Sequence, residues 1–144
     1  MAFNYQLLLE RDDKFKTLIK NVRKDNKNKN YGFSLPKKLP NNEYVISLID
    51  TQKNIIASFI WFGIYSNDKI NNFERYIHIN FSYTFEIYRN CGLNKKLRLW
   101  IESFSIENNI NCIVSVPLPD SNSLIILHKL GYSKNENYYI KKIS

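Results

Sequence analysis

The sequence predicts an α+β protein of the mixed α/β-sandwich kind, with a central, largely antiparallel twisted sheet of about six to seven strands and helices on both faces. Three observations carry that prediction. Between residues 43 and 85, three runs rich in β-branched and aromatic residues follow one another across short polar turns, the pattern of an antiparallel meander. The second half alternates helical periodicity with short apolar runs, and such strand-helix-strand crossovers mix the sheet. One helical pattern before the meander and two after it supply cover for both faces.

Residues 3–9 (FNYQLLL) are short and apolar and suit an opening strand. Asp12 and Asp13 then offer N-cap chemistry to a helix whose apolar positions, Phe15, Leu18, Ile19 and Val22, fall at helical spacing and which ends near Asp25. From 26 to 42 the chain is polar and punctuated by Gly32, Pro36 and Pro40, which suggests a long substrate-side excursion with room for one short helix. EYVISLID (43–50) and NIIASFIWFGIY (54–65) flank the turn-forming DTQKN and read as a hairpin. Residues 75–85 alternate, with Ile77, Ile79, Phe81, Tyr83 and Phe85 on one face and Tyr76, His78, Asn80, Ser82 and Thr84 on the other. Leu93, Leu97, Trp100, Ile101, Phe104 and Ile106 predict a helix of about four turns that stops around ENN. CIVSVP is a short buried strand ended by Pro117 and Pro119. Ser121 to Leu130 is a further helix closed by Gly131, and YYIKKI is the last strand.

With 144 residues, 44% of them hydrophobic, the chain is the size of one domain spanning 1–144 and is too apolar to stay disordered. Twenty-one Lys and Arg against thirteen Asp and Glu leave a net charge of +8, compatible with a phosphate-bearing partner. The basic residues are nevertheless scattered in pairs, as on a solvated surface. Only Cys91 and Cys112 occur, with no CxxC, so no disulfide framework and no metal site are expected and the compartment is read as reducing. No basic flank precedes a long apolar core at the N-terminus, and no run reaches membrane-spanning length. The expectation is a cytoplasmic protein with no membrane partner. RKDNKNKNYG is the one stretch near low complexity and is read as a surface loop.

EIYRNCGLNKKLRLW (86–100) joins the third meander strand to a helix. A strand ending just before a helix leaves the first helical N–H groups unpaired at the positive end of the dipole, a geometry that binds phosphate. Gly92 removes the side chain where a ligand would come closest, and Arg89, Lys95 and Lys96 add positive charge. Arg-x-x-Gly ahead of a helix also serves as a plain connecting turn, so the motif alone leaves both readings open.

The order of elements and two motifs together resemble the GNAT superfamily of acetyl-coenzyme A-dependent N-acyltransferases. The central GNAT motif is similar to Thr84-Phe85-Glu86-Ile87-Tyr88-Arg89-Asn90-Cys91-Gly92-Leu93-Asn94, and the later one to Asp120-Ser121-Asn122-Ser123 running to Lys129-Leu130-Gly131-Tyr132. The resemblance covers essentially the whole chain. It implies acetyl-CoA as co-substrate, with backbone groups of Thr84, Phe85 and Glu86 pairing with the pantetheine arm. Amides from Arg89 through Asn90, Cys91, Gly92 and Leu93 to Asn94 would hold the pyrophosphate, and Asn122 would contact the coenzyme, although the family's asparagine aligns with Asp120. A dimer is common for that fold. Departures are also plain: Asn94 stands where the family usually has glycine or alanine, Thr84 and Glu86 replace valine and proline, and Leu127 takes the place of the tyrosine many members use as general acid.

Acyl transfer to an amine needs a base for the amine proton and stabilisation of the departing thiolate. His78 is one candidate base, although a strand histidine is also met as a structural hydrogen-bonder; Glu74 and Glu86 are others. Tyr83 and Tyr88 are candidate thiolate donors, His128 is expected at a solvated surface, and Cys91 is read as loop structure. The expected function is transfer of an acetyl group from acetyl-CoA directly to a primary amine. The alternative is a catalytically degenerate CoA-binding or interaction protein of the same fold. Nucleic acid is not expected as a partner, since no RNA-binding aromatic motif is present.

Overall fold

In the computed structural model, which describes residues 2–8, 13–25, 39–66, 75–116 and 123–143, seven strands form one sheet. In chain order the elements are β1 (Phe3–Leu8), α1 (Asp13–Asp25), β2 (Glu43–Asp50), β3 (Ile55–Ser66), β4 (Arg75–Thr84), α2 (Leu93–Glu107), β5 (Cys112–Ser115), α3 (Ser123–Lys129), β6 (Ser133–Asn135) and β7 (Tyr138–Lys142). The strands lie in the order β1-β2-β3-β4-β5-β7-β6, antiparallel throughout except for the parallel pair β4 and β5. The predicted mixed, largely antiparallel sheet with helices on both faces is what forms.

Local chemistry sets the turns. At the end of β2 the Asp50 side chain accepts the amides of Gln52 (3.0 Å) and Lys53 (3.4 Å), and Asn54, at φ +54°, returns its own amide to the Asp50 carbonyl (2.7 Å). This closes the β2-β3 hairpin. Both α2 and α3 end in the same device. Asn109 (φ +56°) and Gly131 (φ +87°) adopt the left-handed conformation, and the amides of Ile110 and Tyr132 reach back to the carbonyls of Ser105 and Leu127.

One face of the sheet is covered by α1, whose Leu18, Ile19 and Val22 pack with Leu8, Val45, Phe59, Phe81 and Tyr83. The other is covered by α2 and α3, with Leu93, Leu97, Ile101, Leu127 and Leu130 against Ile46, Leu48, Ile60, Phe62, Ile77 and Ile79. Trp100 stacks on Phe104, which meets Phe62 edge-on at 5.5 Å.

Two expectations are corrected. The alternation along β4 does not place Ile77, Ile79, Phe81 and Tyr83 on one face, because the β3 register jumps from Trp61 opposite Phe81 to Phe62 opposite Ile79. Asn80 is therefore the extra residue of a β-bulge, and a bulge reverses the facing of everything beyond it. Ile77 and Ile79 pack under α2, whereas Phe81 and Tyr83 pack under α1. Ile106, assigned to the apolar stripe of α2, is exposed, and Arg98 and Ser105 are buried in its place. The sheet has the upper of the expected six to seven strands: the seventh, β6, is three exposed residues paired, among the described residues, with β7 alone, so no hydrophobic pattern announces it. The excursion from 26 to 38, with Gly32 and Pro36, and the prolines Pro117 and Pro119 lie outside the described residues.

Candidate functional site

β4 and β5 pair over only three positions, Ile77 with Ile113, His78 with Val114 and Ile79 with Ser115. The bulge at Asn80 follows at once, and no described residue pairs with the outer edge of β4 beyond it. The Phe85 amide donates to the Ala57 carbonyl across β3 (3.0 Å), so strand alternation turns the peptide groups of Ser82 and Thr84 toward the open edge. Such an edge can accept another extended chain. Of the three residues expected to offer backbone groups there, Phe85 has its amide engaged by β3, and Glu86 donates its own to the Asp25 carboxylate (3.3 Å). Thr84 keeps the outward orientation, with its carbonyl receiving Arg89 Nε at 3.1 Å.

A 3-10 turn over Glu86–Tyr88 then carries the chain to α2. Tyr88 is buried, and its hydroxyl donates to Asp50 Oδ2 at 2.5 Å. Burial, followed by Asp50, pushes the Tyr88 hydroxyl up to about 12, and that hydroxyl is the largest influence holding the Asp50 carboxyl below its ordinary value. A carboxyl depressed in the folded state stabilises the fold above its unfolded pKa and loses that contribution as pH falls through the folded one. Urea midpoints followed into acid should therefore drop for the wild type below about pH 4, where an ordinary aspartate protonates. Tyr88→Phe should be less stable at neutral pH and show a shallower acid drop; equal slopes would dissociate Asp50 from this bond.

Beyond Tyr88, Asn90 (φ +66°) and Gly92 (φ +73°) are both left-handed, the kind of backbone in which successive amides can form an anion-binding concavity. The first amide of the helix with an intrahelical partner is that of Lys96, on the Gly92 carbonyl (3.2 Å). Among the described residues no acceptor takes the amides of Asn90, Cys91, Gly92, Leu93, Asn94 or Lys95, and the first turn of α2 carries no acidic side chain. A Cβ built on Gly92 would meet no atom within 4 Å, so the space beside this glycine is open. Arg89 differs from its neighbours in that its amide donates to the Glu86 carbonyl (3.3 Å). Its guanidinium braces the turn from the α1 side, with Nη2 3.5 Å from the Tyr83 hydroxyl and 3.9 Å from Asp25 Oδ2. Asp25 also accepts the Tyr83 hydroxyl at 2.5 Å. The side chain of Asn94 turns along the helix and accepts from Arg98 Nε at 2.8 Å; Arg98 is 1% exposed, and burial pulls its guanidinium below its ordinary value.

On the α1 face, beside the point where β4 and β5 part, lies a polar group of four side chains. Glu43 Oε1, on β2, accepts from the Tyr65 hydroxyl (2.8 Å) and from Asn80 Nδ2 (3.0 Å), and Asn80 Oδ1 meets His78 Nδ1 at 2.8 Å. Gly63 makes this possible, since a Cβ there would lie 2.6 Å from the Tyr65 ring. Tyr65 folds across it, and burial drives its hydroxyl up to about 12.

Other candidates are placed less favourably. Leu127 is fully buried in the core, and the hydroxyls of Tyr83 and Tyr88 both point at carboxylates. His128 is exposed and edge-on to Tyr139, and Cys91 is exposed with its thiol 3.7 Å from the Arg89 carbonyl. Glu74, Asp120 and Asn122 lie outside the described residues. Asp25, Glu43 and Asn80 were not among the predicted site residues: Asp25 read as a helix end, Glu43 as a strand start and Asn80 as one more polar position in an alternating run.

No protein-family model and no curated protein sequence matches the chain. Solved structures do match its fold. Arabidopsis thaliana NAA60 in complex with acetyl-CoA superposes with a TM-score of 0.77 at 9% identity, covering 99% of this chain and 100% of that one. A chain of the NatC complex bound to Gag peptide and CoA gives 0.74 at 16%, covering both chains fully. The aminoglycoside acetyltransferase meta-AAC0020 from an uncultured soil metagenomic sample, in complex with sisomicin, gives 0.72 at 20%, covering 93% of this chain and 90% of that one. The fold is that of the GNAT acetyltransferases.

Proposed function

We propose that this chain is an N-acetyltransferase that moves an acetyl group from acetyl-CoA directly to a primary amine. The observation that carries it is the sequence of an open β4 edge and then six unpartnered amides on an acid-free helix start. An extended amide-bearing arm suits the edge and a pyrophosphate suits the amides, so the residues present fit the coenzyme. Asn90 to Lys95 would hold the pyrophosphate through backbone N–H groups, and Ser82 and Thr84 would receive the pantetheine arm. Bound there, acetyl-CoA supplies a thioester whose acetyl carbon bonds to the amine nitrogen as the carbon–sulfur pair leaves on sulfur.

His78 stands on the opposite face from α2, where β4 and β5 separate, and is the base we assign to the amine proton. The second reading, a CoA-binding protein without turnover, is favoured by the burial of Leu127 and by the engaged hydroxyls of Tyr83 and Tyr88, which leave no free tyrosine acid among those candidates. Among the described residues no helix is long and apolar enough to cross a membrane.

Thermal unfolding with and without acetyl-CoA tests the coenzyme site. Ligand at 100 times its dissociation constant should stabilise the wild type by about 2.7 kcal/mol. Gly92→Asp should abolish the shift by placing a carboxylate before the amides, whereas Gly92→Asn, which tolerates the same backbone, should retain part of it. No wild-type shift at millimolar ligand would reduce the turn to a plain connection. Release of CoA thiol over a panel of amines then separates enzyme from binder.

A further inference from the structure

The orientation of Asn80 is fixed by what surrounds it. Glu43 Oε1 already accepts from the Tyr65 hydroxyl, and a carboxylate oxygen has no proton to give, so the side of Asn80 that faces it at 3.0 Å is the NH2 group. The reverse orientation would set two acceptors against each other. The Asn80 oxygen is then the atom 2.8 Å from His78 Nδ1, and an amide oxygen can only accept. Nδ1 must carry the proton, which leaves the lone pair on Nε2.

We propose that Glu43, acting through Asn80, holds His78 as the Nδ1–H tautomer and thereby makes Nε2 the proton-accepting nitrogen of the site. The tautomer follows from the geometry alone; its catalytic meaning rests on the acetyl-transfer reading. Glu43 and Asn80 are positioning residues, brought together from β2 and β4 across 37 positions of sequence. Glu43 is 9% exposed and pairs with no cation among the described residues. A proton taken by Nε2 gives the ring a positive charge that this carboxylate balances across one amide. Among the described residues, the remaining neighbours of the ring bring no other charge: Tyr65 meets it edge-on from β3 (6.1 Å), Tyr76 of β4 lies against Tyr65 (5.8 Å), and Val114 stands opposite on β5.

Nitrogen-15 spectra of the His78 ring, at a pH where it is neutral, read the tautomer directly. The wild type should show Nδ1–H. In Glu43→Gln the new amide can donate to Asn80, releasing it to turn over, and the signature should move to Nε2–H. Glu43→Gln/Asn80→Asp moves the carboxylate one position along the chain of bonds and should restore Nδ1–H. On whichever amine the wild type acetylates fastest among a peptide with a free N-terminus, a lysine-bearing peptide and an aminoglycoside, kcat should fall about tenfold or more in the single variant and recover in the double. Stabilisation by acetyl-CoA should stay constant across all three proteins. An Nε2–H wild type, a single variant that keeps Nδ1–H, or a double variant that fails to regain it overturns the proposal. A wild type with the Nδ1–H signature that neither binds acetyl-CoA nor acetylates an amine overturns the catalytic meaning and the acetyl-transfer reading together, while the network stands.

Discussion

His78→Gln is expected to lower kcat by about 10²- to 10⁴-fold, the range a positioned general base contributes, with the acetyl-CoA-induced rise in Tm unchanged. The separation between those two readouts follows from the layout of the sheet. The amides that would hold the pyrophosphate belong to the start of α2, which packs on the face of Ile60, Phe62, Ile77 and Ile79. His78 alternates with Ile77 and Ile79 and so stands on the other face, on the α1 side, one position before the last β4–β5 pair. Glutamine can still donate to Asn80, but it cannot take a proton at neutral pH. A loss confined to KM for the coenzyme would place His78 in binding rather than in proton transfer. Unchanged kcat would move the proton to water, to Glu86 or to a group outside the described residues, Glu74 among them.

Asn94→Ala is expected to cost roughly 1.5–3 kcal/mol, the range for a hydrogen bond to a charged group, and to lower Tm by about 8 °C. The substitution restores the small residue of the family pattern, and at an exposed position in a helix it would be neutral or helpful. Here it removes the acceptor of a guanidinium that is 1% exposed and whose Nη1, although the Tyr132 hydroxyl is a neighbour, makes no hydrogen bond among the described residues. Arg98→Met should cost much less, because it withdraws the charge together with its need for partners. The double variant Asn94→Ala/Arg98→Met should lie close to Arg98→Met alone, giving a coupling close to the whole cost of the first change. Additive costs would show that Asn94 acts on something other than Arg98. If the wild type is also compared for acetyl-CoA binding, the alanine variant should bind through its unchanged amides, since the asparagine side chain is turned away along the helix.

That pair illustrates how far the linear sequence reaches. Asn94 is visible there as a departure from the family motif, and the natural inference puts its side chain near the pyrophosphate. The structure gives it another task, one that depends on Arg98 being buried, and the charge of an arginine argues against burial until a partner is known. Arg89 is similar: its charge is legible as phosphate-seeking, but Asp25 and Tyr83 arrive from other elements and draw the guanidinium to the α1 side.

Every strand but β6, and the helices, were determined by the sequence itself, because periods of 2 and 3.6 residues are properties of consecutive side chains and the turn chemistry of Asp50, Asn54, Asn109 and Gly131 acts within five residues. The phosphate-type junction was equally visible, since an arginine, a glycine and a helix start follow one another directly. Only the tertiary structure decided which face of β4 looks where, because the bulge at Asn80 is set by its register against β3 and leaves no mark on the alternating pattern. Only it could join Glu43 to Asn80 or Asp25 to Tyr83, across 37 and 58 positions of chain. Hydrogen bonds of that kind depend on where the packed sheet and α1 place their side chains, and no spacing within one segment encodes them.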